Sequence, residues 1–205
     1  MGVYAERVLP HLIHVACGAS GVQEQRERVV PLASGRVLEV GMGSGLNLPF
    51  YDRDRVEFVW GLEPSSGMRR KAEPAIEASD IEVRVLDLPG EEIPLEDDTV
   101  DTVVLTYTLC SISEWQVALE QVRRVLKPEG QVVFSEHGLA PDEAVQRWQS
   151  RLNPLWNTLA GGCHLDRPIV KCFVDAGFRI DRVDGDYRGR PHAASFTTWG
   201  VCSAR

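Results

Sequence analysis

The residues of this chain best suited to hold a ligand are the alternating glycines of Glu39-Val40-Gly41-Met42-Gly43-Ser44-Gly45, which close an apolar run of Val37, Leu38 and Val40. Glycine takes positive φ without strain and lets a bound group approach closer than a Cβ would allow. An open α/β sheet receives its ligands beyond the carboxyl ends of its strands, where such a loop would lie. A dinucleotide fingerprint needs another glycine three residues after the second, and that position is Leu46. Asn47, just past the loop, is placed with Glu39, Gly41, Gly43 and Gly45 among the ligand-holding positions. Glu63, with Pro64 beside it, ends the next strand-like run about twenty residues on, where a nucleoside cofactor presents its ribose. A carboxylate there can accept from both ribose hydroxyls. It can also cap a helix beginning near Ser65-Ser66, because acids favour helix N-termini; its coincidence with the glycine loop favours the ribose.

A second group of reactive side chains falls later. If the sheet is doubly wound, Thr106 and Tyr107 end a strand beside the glycine loop and flank the ligand, whereas Leu109 packs in the core. His137 ends the following strand. It can serve as a base, since its unperturbed pKa is near neutrality, or as a structural hydrogen-bonding group. Cys163 and His164 follow Gly161-Gly162 and are candidates to line an acceptor pocket. These three do not have the spacing of a metal site, and none is expected. Asp166 reads as the cap of a helix starting at Arg167-Pro168, and Cys110 as a small buried hydrophobe.

The elements that must position these groups alternate. Strand-like runs are expected near Arg36–Val40, Val56–Leu62, Ile81–Leu86, Val100–Thr106, Gln131–Glu136, Phe178–Gly185 and Ser195–Cys202. Helices are expected at Ser20–Ala33, Ser66–Ala78 and Glu114–Leu126, the last stopped by Lys127-Pro128-Glu129-Gly130. This alternation predicts an α/β fold, a doubly wound, mostly parallel seven-stranded sheet with helices on both faces. Residues 141–162 read as a Trp-containing helical insertion over the ligand cleft, within a single domain spanning 1–205.

Composition narrows the classes. With 205 residues and 43% hydrophobic content, one domain can bury one sizeable core. A formal charge of −8, a pI near 5.2 and scattered basic residues argue against a nucleic-acid groove. Only Arg69-Arg70-Lys71 are adjacent, and they read as a solvated helix face. Residues 1–20 lack a basic n-region and a signal-length apolar run, and no later stretch approaches a membrane span. Five cysteines without a C-x-x-C pair fit reduced thiols, so a cytoplasmic protein is expected.

The motifs together resemble a known family. Glu-x-Gly-x-Gly-x-Gly resembles the first motif of class I S-adenosylmethionine (SAM) methyltransferases, which have a Rossmann-like fold. Pro-Gly-Glu at 89–91, Leu-Cys-Ser at 109–111, Arg-Val-Leu at 124–126, Glu-His at 136–137, and Gly-Cys at 162–163 followed by Arg167 resemble the methyltransferase-like 7 family of thiol S-methyltransferases. The likeness runs from about Leu12 to about Arg167. It implies SAM as cofactor and S-adenosylhomocysteine as product, with Gly90 and Glu91 meeting adenine mainly through backbone and Asp87 open. It also implies methyl transfer to a small-molecule acceptor, such as hydrogen sulfide, methanethiol or an alkyl thiol. The thiolate is the nucleophile, so His137 and His164 are the candidates to take its proton. An ethanolamine-type phospholipid headgroup or a quinone precursor is the alternative acceptor, and a SAM-binding sensor the non-enzymatic alternative. Animal members carry an amino-terminal membrane anchor; this sequence shows none, so no integral membrane association is expected, and the oligomeric state stays open.

Overall fold

Aliphatic residues run almost unbroken through Val37–Val40 and Val103–Leu105, the pattern of strands covered on both faces. The computed structural model, which describes residues 8–204, places these runs side by side at the centre of a seven-stranded sheet. Its strands are β1 (Gly35–Val40), β2 (Val56–Leu62), β3 (Glu82–Leu86), β4 (Val100–Thr106), β5 (Leu126–His137), β6 (Phe178–Tyr187) and β7 (Phe196–Ala204). Their order is β3-β2-β1-β4-β5-β7-β6. The pairs from β3 through β5 are parallel, and β7 is antiparallel to both its neighbours. The winding direction reverses between β1 and β4, the switch point at which open α/β sheets bind ligands.

Register lines up the functional ends. Val40 pairs with Leu62 and Leu105, Leu62 with Leu86, and Thr106 with Ser135. The residues that follow, Gly41, Glu63 and Asp87, therefore leave the sheet at one level, alongside Thr106 and Ser135.

Successive strand residues point to opposite faces, and each face has its own core. On one, Leu38, Val40, Leu105 and Phe134 pack with Leu119 and Val122 of α4 (Trp115–Val125) and Phe173 of α6 (Ile169–Asp175). On the other, Val37, Val59, Val104, Val133 and Trp199 pack with Val29 of α2 (Ser20–Val29) and lean on Ala75 and Ile76 of α3 (Ser66–Glu77).

Several elements differ from the sequence expectation. The first long helix stops at Val29 and tightens into a 3-10 turn over Val30–Leu32, because Pro31 has no N–H with which to continue it. The stretch Lys127-Pro128-Glu129-Gly130 does end α4 but stays extended, so β5 begins at Leu126, whose buried side chain sits opposite Val100 across a register shift. A further helix, α1 (Leu9–Cys17), was not anticipated. Part of the opening stretch searched for a signal or anchor, residues 1–7, lies outside the described residues. Among the described residues, no helix is long and apolar enough to cross a membrane.

Phe134 is fully buried, with its ring centroid 4.7 Å from that of Phe173, which in turn meets Phe178 at 5.8 Å. Phe134→Ala should cost about 3–5 kcal/mol in urea unfolding. A loss below about 1 kcal/mol would mean that this aromatic contact does not anchor α6 to the sheet.

Candidate functional site

The glycine loop takes the backbone its composition allows. Gly41, Gly43 and Gly45 have φ of +69°, +60° and +76°. The amides of Gly41 and Met42 both donate to Leu62 O, at 2.8 and 3.0 Å, folding the loop against the end of β2. A Cβ on Gly41 would collide with the Thr108 side chain. From the other side α1 leans over the loop, with His14 Nδ1 2.8 Å from Ser44 Oγ.

Glu63 faces this loop. Its Oε2 accepts from Gly43 N at 2.9 Å and its Oε1 from Ser65 N at 2.8 Å. The cap of α3 is Ser65, whose hydroxyl accepts from Met68 N, so the capping alternative for Glu63 does not hold. Burial pushes the Glu63 pKa up against the two amides that lower it. Pro64 is exposed beside it. Arg69 donates to Glu63 O at 2.8 Å and pairs with the Asp87 carboxylate, which is thereby engaged within the protein. Gly90 is buried, and a Cβ there would stand 3.1 Å from Ile112 Cδ1 and Val40 Cγ1; packing beneath its turn therefore favours glycine. Glu91 is half-buried.

Beneath the loop, Glu39 and Asn47 form a closed frame. Glu39 is 1% exposed and accepts from Asn47 Nδ2 at 2.9 Å and Tyr51 OH at 2.7 Å. Asn47 also donates to Thr106 Oγ1 and accepts from Arg26 Nε, each at 2.9 Å. Arg26 reaches Cys17 O at 2.6 Å, and its guanidinium lies 5.7 Å from the centre of the Tyr107 ring. Both side chains thus brace the loop against the end of β4.

The turn after β4 is held from both sides. Tyr107 has φ +55°, a strained value for a side-chain-bearing residue, and its N–H donates to Ser135 O. The fully buried Glu136 accepts from the amides of Thr108 (2.9 Å), Leu109 (3.0 Å) and Cys110 (3.2 Å). Arg167 donates to Leu109 O and Ile112 O, both at 2.5 Å. Sequence reasoning assigned neither residue a role. For Glu136 the available signal was a carboxylate two residues past the apolar run Val132–Phe134, inside a strand. At this end His137 Nε2 is buried and has no hydrogen-bond partner among the described residues.

His137, Cys163 and Cys110 are brought together. Cys163 Sγ lies 3.5 Å from Cys110 Sγ and 3.8 Å from His137 Nδ1. The hydrogen bond from the Cys110 thiol, followed by that from His137, holds the Cys163 thiol well below its usual range despite burial. Cys110 and Leu109 are both buried, as expected. His164 is set differently. Its Nδ1 and Nε2 lie 3.3 and 3.1 Å from the side-chain amides of Asn153 and Asn157, on α5 (Glu143–Leu159). Asp166 does not cap α6: that helix starts at Ile169 with Pro168 at its N-cap and no side-chain cap bond, while the neighbouring Arg167 turns inward to the β4 loop. Among the described residues, no group of His, Cys, Asp or Glu could hold a metal.

Helix α5 is inside out. Its inward stripe is Gln149, Asn153 and Asn157, which bond Gly138 O, Ala140 N, Leu165 N and Gly162 O. Its outward stripe is Trp148, Leu152, Leu155 and Leu159, all exposed.

Burial pushes both Glu39 and Glu136 up to about 7 from an ordinary 4.5, against the hydrogen bonds that lower each. The folded state therefore binds more protons than the unfolded chain between about pH 4.5 and 7. These two acids should lower stability as pH rises through that window, by up to about 3 kcal/mol each. Urea unfolding at pH 5 and pH 8 tests this, with Glu39→Gln expected to flatten part of the slope; an unchanged slope in the variant would remove Glu39 as its source.

A family model described as a methyltransferase domain matches residues 38–134. The chain is 35% identical over 152 residues to thiol S-methyltransferase TMT1B of Homo sapiens, covering 71% of this chain and 62% of that protein. It is 34% identical over 151 residues to phosphatidylethanolamine N-methyltransferase of Cereibacter sphaeroides, covering 71% of each. A chain from the complex between the Haloferax volcanii Trm112 methyltransferase activator and a methyltransferase shares the fold, with a TM-score of 0.72 at 17% identity over 98% of this chain and 96% of that one. The cofactor of this family is SAM, and the residues present suit it: each Glu63 oxygen has one backbone donor and keeps a lone pair for a ribose hydroxyl. At 34% identity across 71% of both chains the likeness is one of descent and not of fold alone, and the chain belongs to the class I SAM-dependent methyltransferases.

Proposed function

We propose that this chain transfers a methyl group from SAM to the sulfur of a small thiol. The observation that carries the reading is the cluster at the end of β5, where His137 has Nδ1 against the Cys163 sulfur and Nε2 buried without a partner among the described residues. SAM supplies a sulfonium methyl open to in-line displacement. In this reading Glu63 accepts from the ribose hydroxyls, and the backbone at Gly90 and Glu91 meets adenine. Gly41, Gly43, Thr106 and Tyr107 border the amino-acid end, positioned by Glu39 and Asn47. His137 Nε2 accepts the proton of the entering thiol, and the Cys163 sulfur beside Nδ1 stabilises the resulting imidazolium. His164, engaged by Asn153 and Asn157, positions the turn that carries Cys163. Helix α5 covers the acceptor. Positioning the sulfur behind the methyl supplies much of the rate.

Support for a thiol comes from the likeness to the human thiol S-methyltransferase, of whose length the chain spans 62%. The second reading, a phospholipid acceptor, is favoured by the exposed stripe Trp148, Leu152, Leu155 and Leu159. In both readings the small-molecule acceptor approaches at the β4 and β5 ends.

The deciding experiment measures S-adenosylhomocysteine release with hydrogen sulfide or alkyl thiols, quinol analogues and phosphatidylethanolamine vesicles in parallel. Thiol-dependent turnover supports the proposal; turnover only with lipid or quinol replaces the acceptor, and cofactor binding without turnover with any of them indicates a sensor. His137→Ala should slow a weakly acidic thiol by about 10²–10⁴-fold and an acidic thiol far less, whereas equal losses would remove the base role. Glu63→Ala should weaken S-adenosylhomocysteine binding about 10–100-fold by calorimetry; an unchanged dissociation constant would retire the ribose contact.

A further inference from the structure

We propose that Cys163 and Cys110 form an oxidation site that a hydroperoxide closes to a disulfide, holding the acceptor pocket shut until a reductant opens it. The consequence for activity rests on the proposed function; the covalent link does not.

The two sulfurs are 3.5 Å apart, and a disulfide needs about 2.0 Å. The backbone already holds their segments together, since His164 N donates to Cys110 O at 2.9 Å. The remaining approach is about 1.5 Å, and Cys163 follows two left-handed glycines, Gly161 (φ +64°) and Gly162 (φ +91°), whose backbone can shift without a side-chain penalty. The pair is asymmetric in the manner of a peroxide-reactive thiol and its resolving partner. Cys163 is half-buried and faces two donors that favour its thiolate, the Cys110 thiol and His137. Cys110 is only 2% exposed, out of reach of an external oxidant but within reach of the neighbouring sulfur. Of the other cysteines, burial pushes the thiols of Cys17, Cys172 and Cys202 up, away from reactive thiolate.

The chemistry balances with a hydroperoxide as oxidant. The Cys163 thiolate attacks the terminal peroxide oxygen. The O–O bond breaks, the alkoxide or hydroxide leaves, and the sulfur becomes a sulfenic acid, oxidised by two electrons. The Cys110 sulfur then displaces hydroxide from that sulfur, and the Cys110 proton leaves with it as water. The new S–S bond draws the Cys163 sulfur away from His137 and ties the segment after α5 to the β4 turn. A thiol or phosphine reductant reverses it.

The test treats the reduced full chain with hydrogen peroxide near stoichiometry, alkylates the remaining thiols, and reads intact mass and peptide maps. The expected product has lost two hydrogens and contains a Cys110–Cys163 peptide. Cys110→Ser should leave Cys163 as a sulfenic acid trapped by dimedone, and Cys17→Ser should not alter the link. S-adenosylhomocysteine binding by each variant shows that it is folded. A link from Cys163 to Cys17, or no link in the folded chain, overturns the site. With the link formed, thiol turnover should fall at least about tenfold and return with phosphine, a change of about 1.4 kcal/mol or more; undiminished turnover overturns the switch. Reduced protein with no thiol turnover at all is instead a failure of the proposed function, and the mass readout separates the two.

Discussion

A single carboxylate fixes the geometry at the acceptor end. Glu136 stands at the end of β5 with no exposure and collects the three successive amides of Thr108, Leu109 and Cys110. Buried amides without acceptors cost about 1–3 kcal/mol each, so this one side chain is what allows the chain to turn sharply after β4 with Tyr107 in the left-handed region. Where Thr108 meets Gly41, where Cys110 faces Cys163 and where the Leu109 and Ile112 carbonyls meet Arg167 all follow from that turn.

The cofactor side relies on a different device. Glu39, Asn47, Tyr51, Thr106 and Arg26 form a hydrogen-bonded frame that ties the glycine loop to β4 and to α2. Such a network is rigid when every member is satisfied and costly when one is missing. The two frames meet at the step from Thr106 to Tyr107, so buried polar groups help position the loops after β1 and β4 relative to one another.

The central strands were legible in sequence because fully covered strands show as aliphatic runs, and the more exposed β3 and β6 because they carry β-branched residues. That the sheet is doubly wound and mostly parallel followed from alternation with helices; the full strand order did not. The positions of Glu39, Glu63 and His137 at strand ends were legible for the same reason. Partnership was not. Nothing in spacing says that Asn47 turns down to Glu39, that Asp87 is engaged by Arg69, or that Arg167 bonds a turn more than fifty residues away. The capping expected of Asp166 failed because the helix begins three residues later, once Arg167 has turned inward. Residues 8–17 gave no helix signal because α1 has apolar groups on both sides, with Val8, Leu12 and Val15 exposed. Likewise α5 announced a helix through its Trp and Leu residues, but Trp148, Leu152, Leu155 and Leu159 face outward and only Trp156 turns in, towards the His137 ring.

The inverted character of α5 bears on the order in which the molecule comes apart. Gln149 is its only buried residue, and its docking relies on amide bonds to loop backbone, each worth about 0.5–1.5 kcal/mol net. The sheet, by contrast, is held by two apolar cores. A segment attached in this way opens at a fraction of the global unfolding free energy, as a separate cooperative unit. Because α5 is docked mainly by such bonds, its backbone amides would exchange with solvent sooner than those of the strands below it.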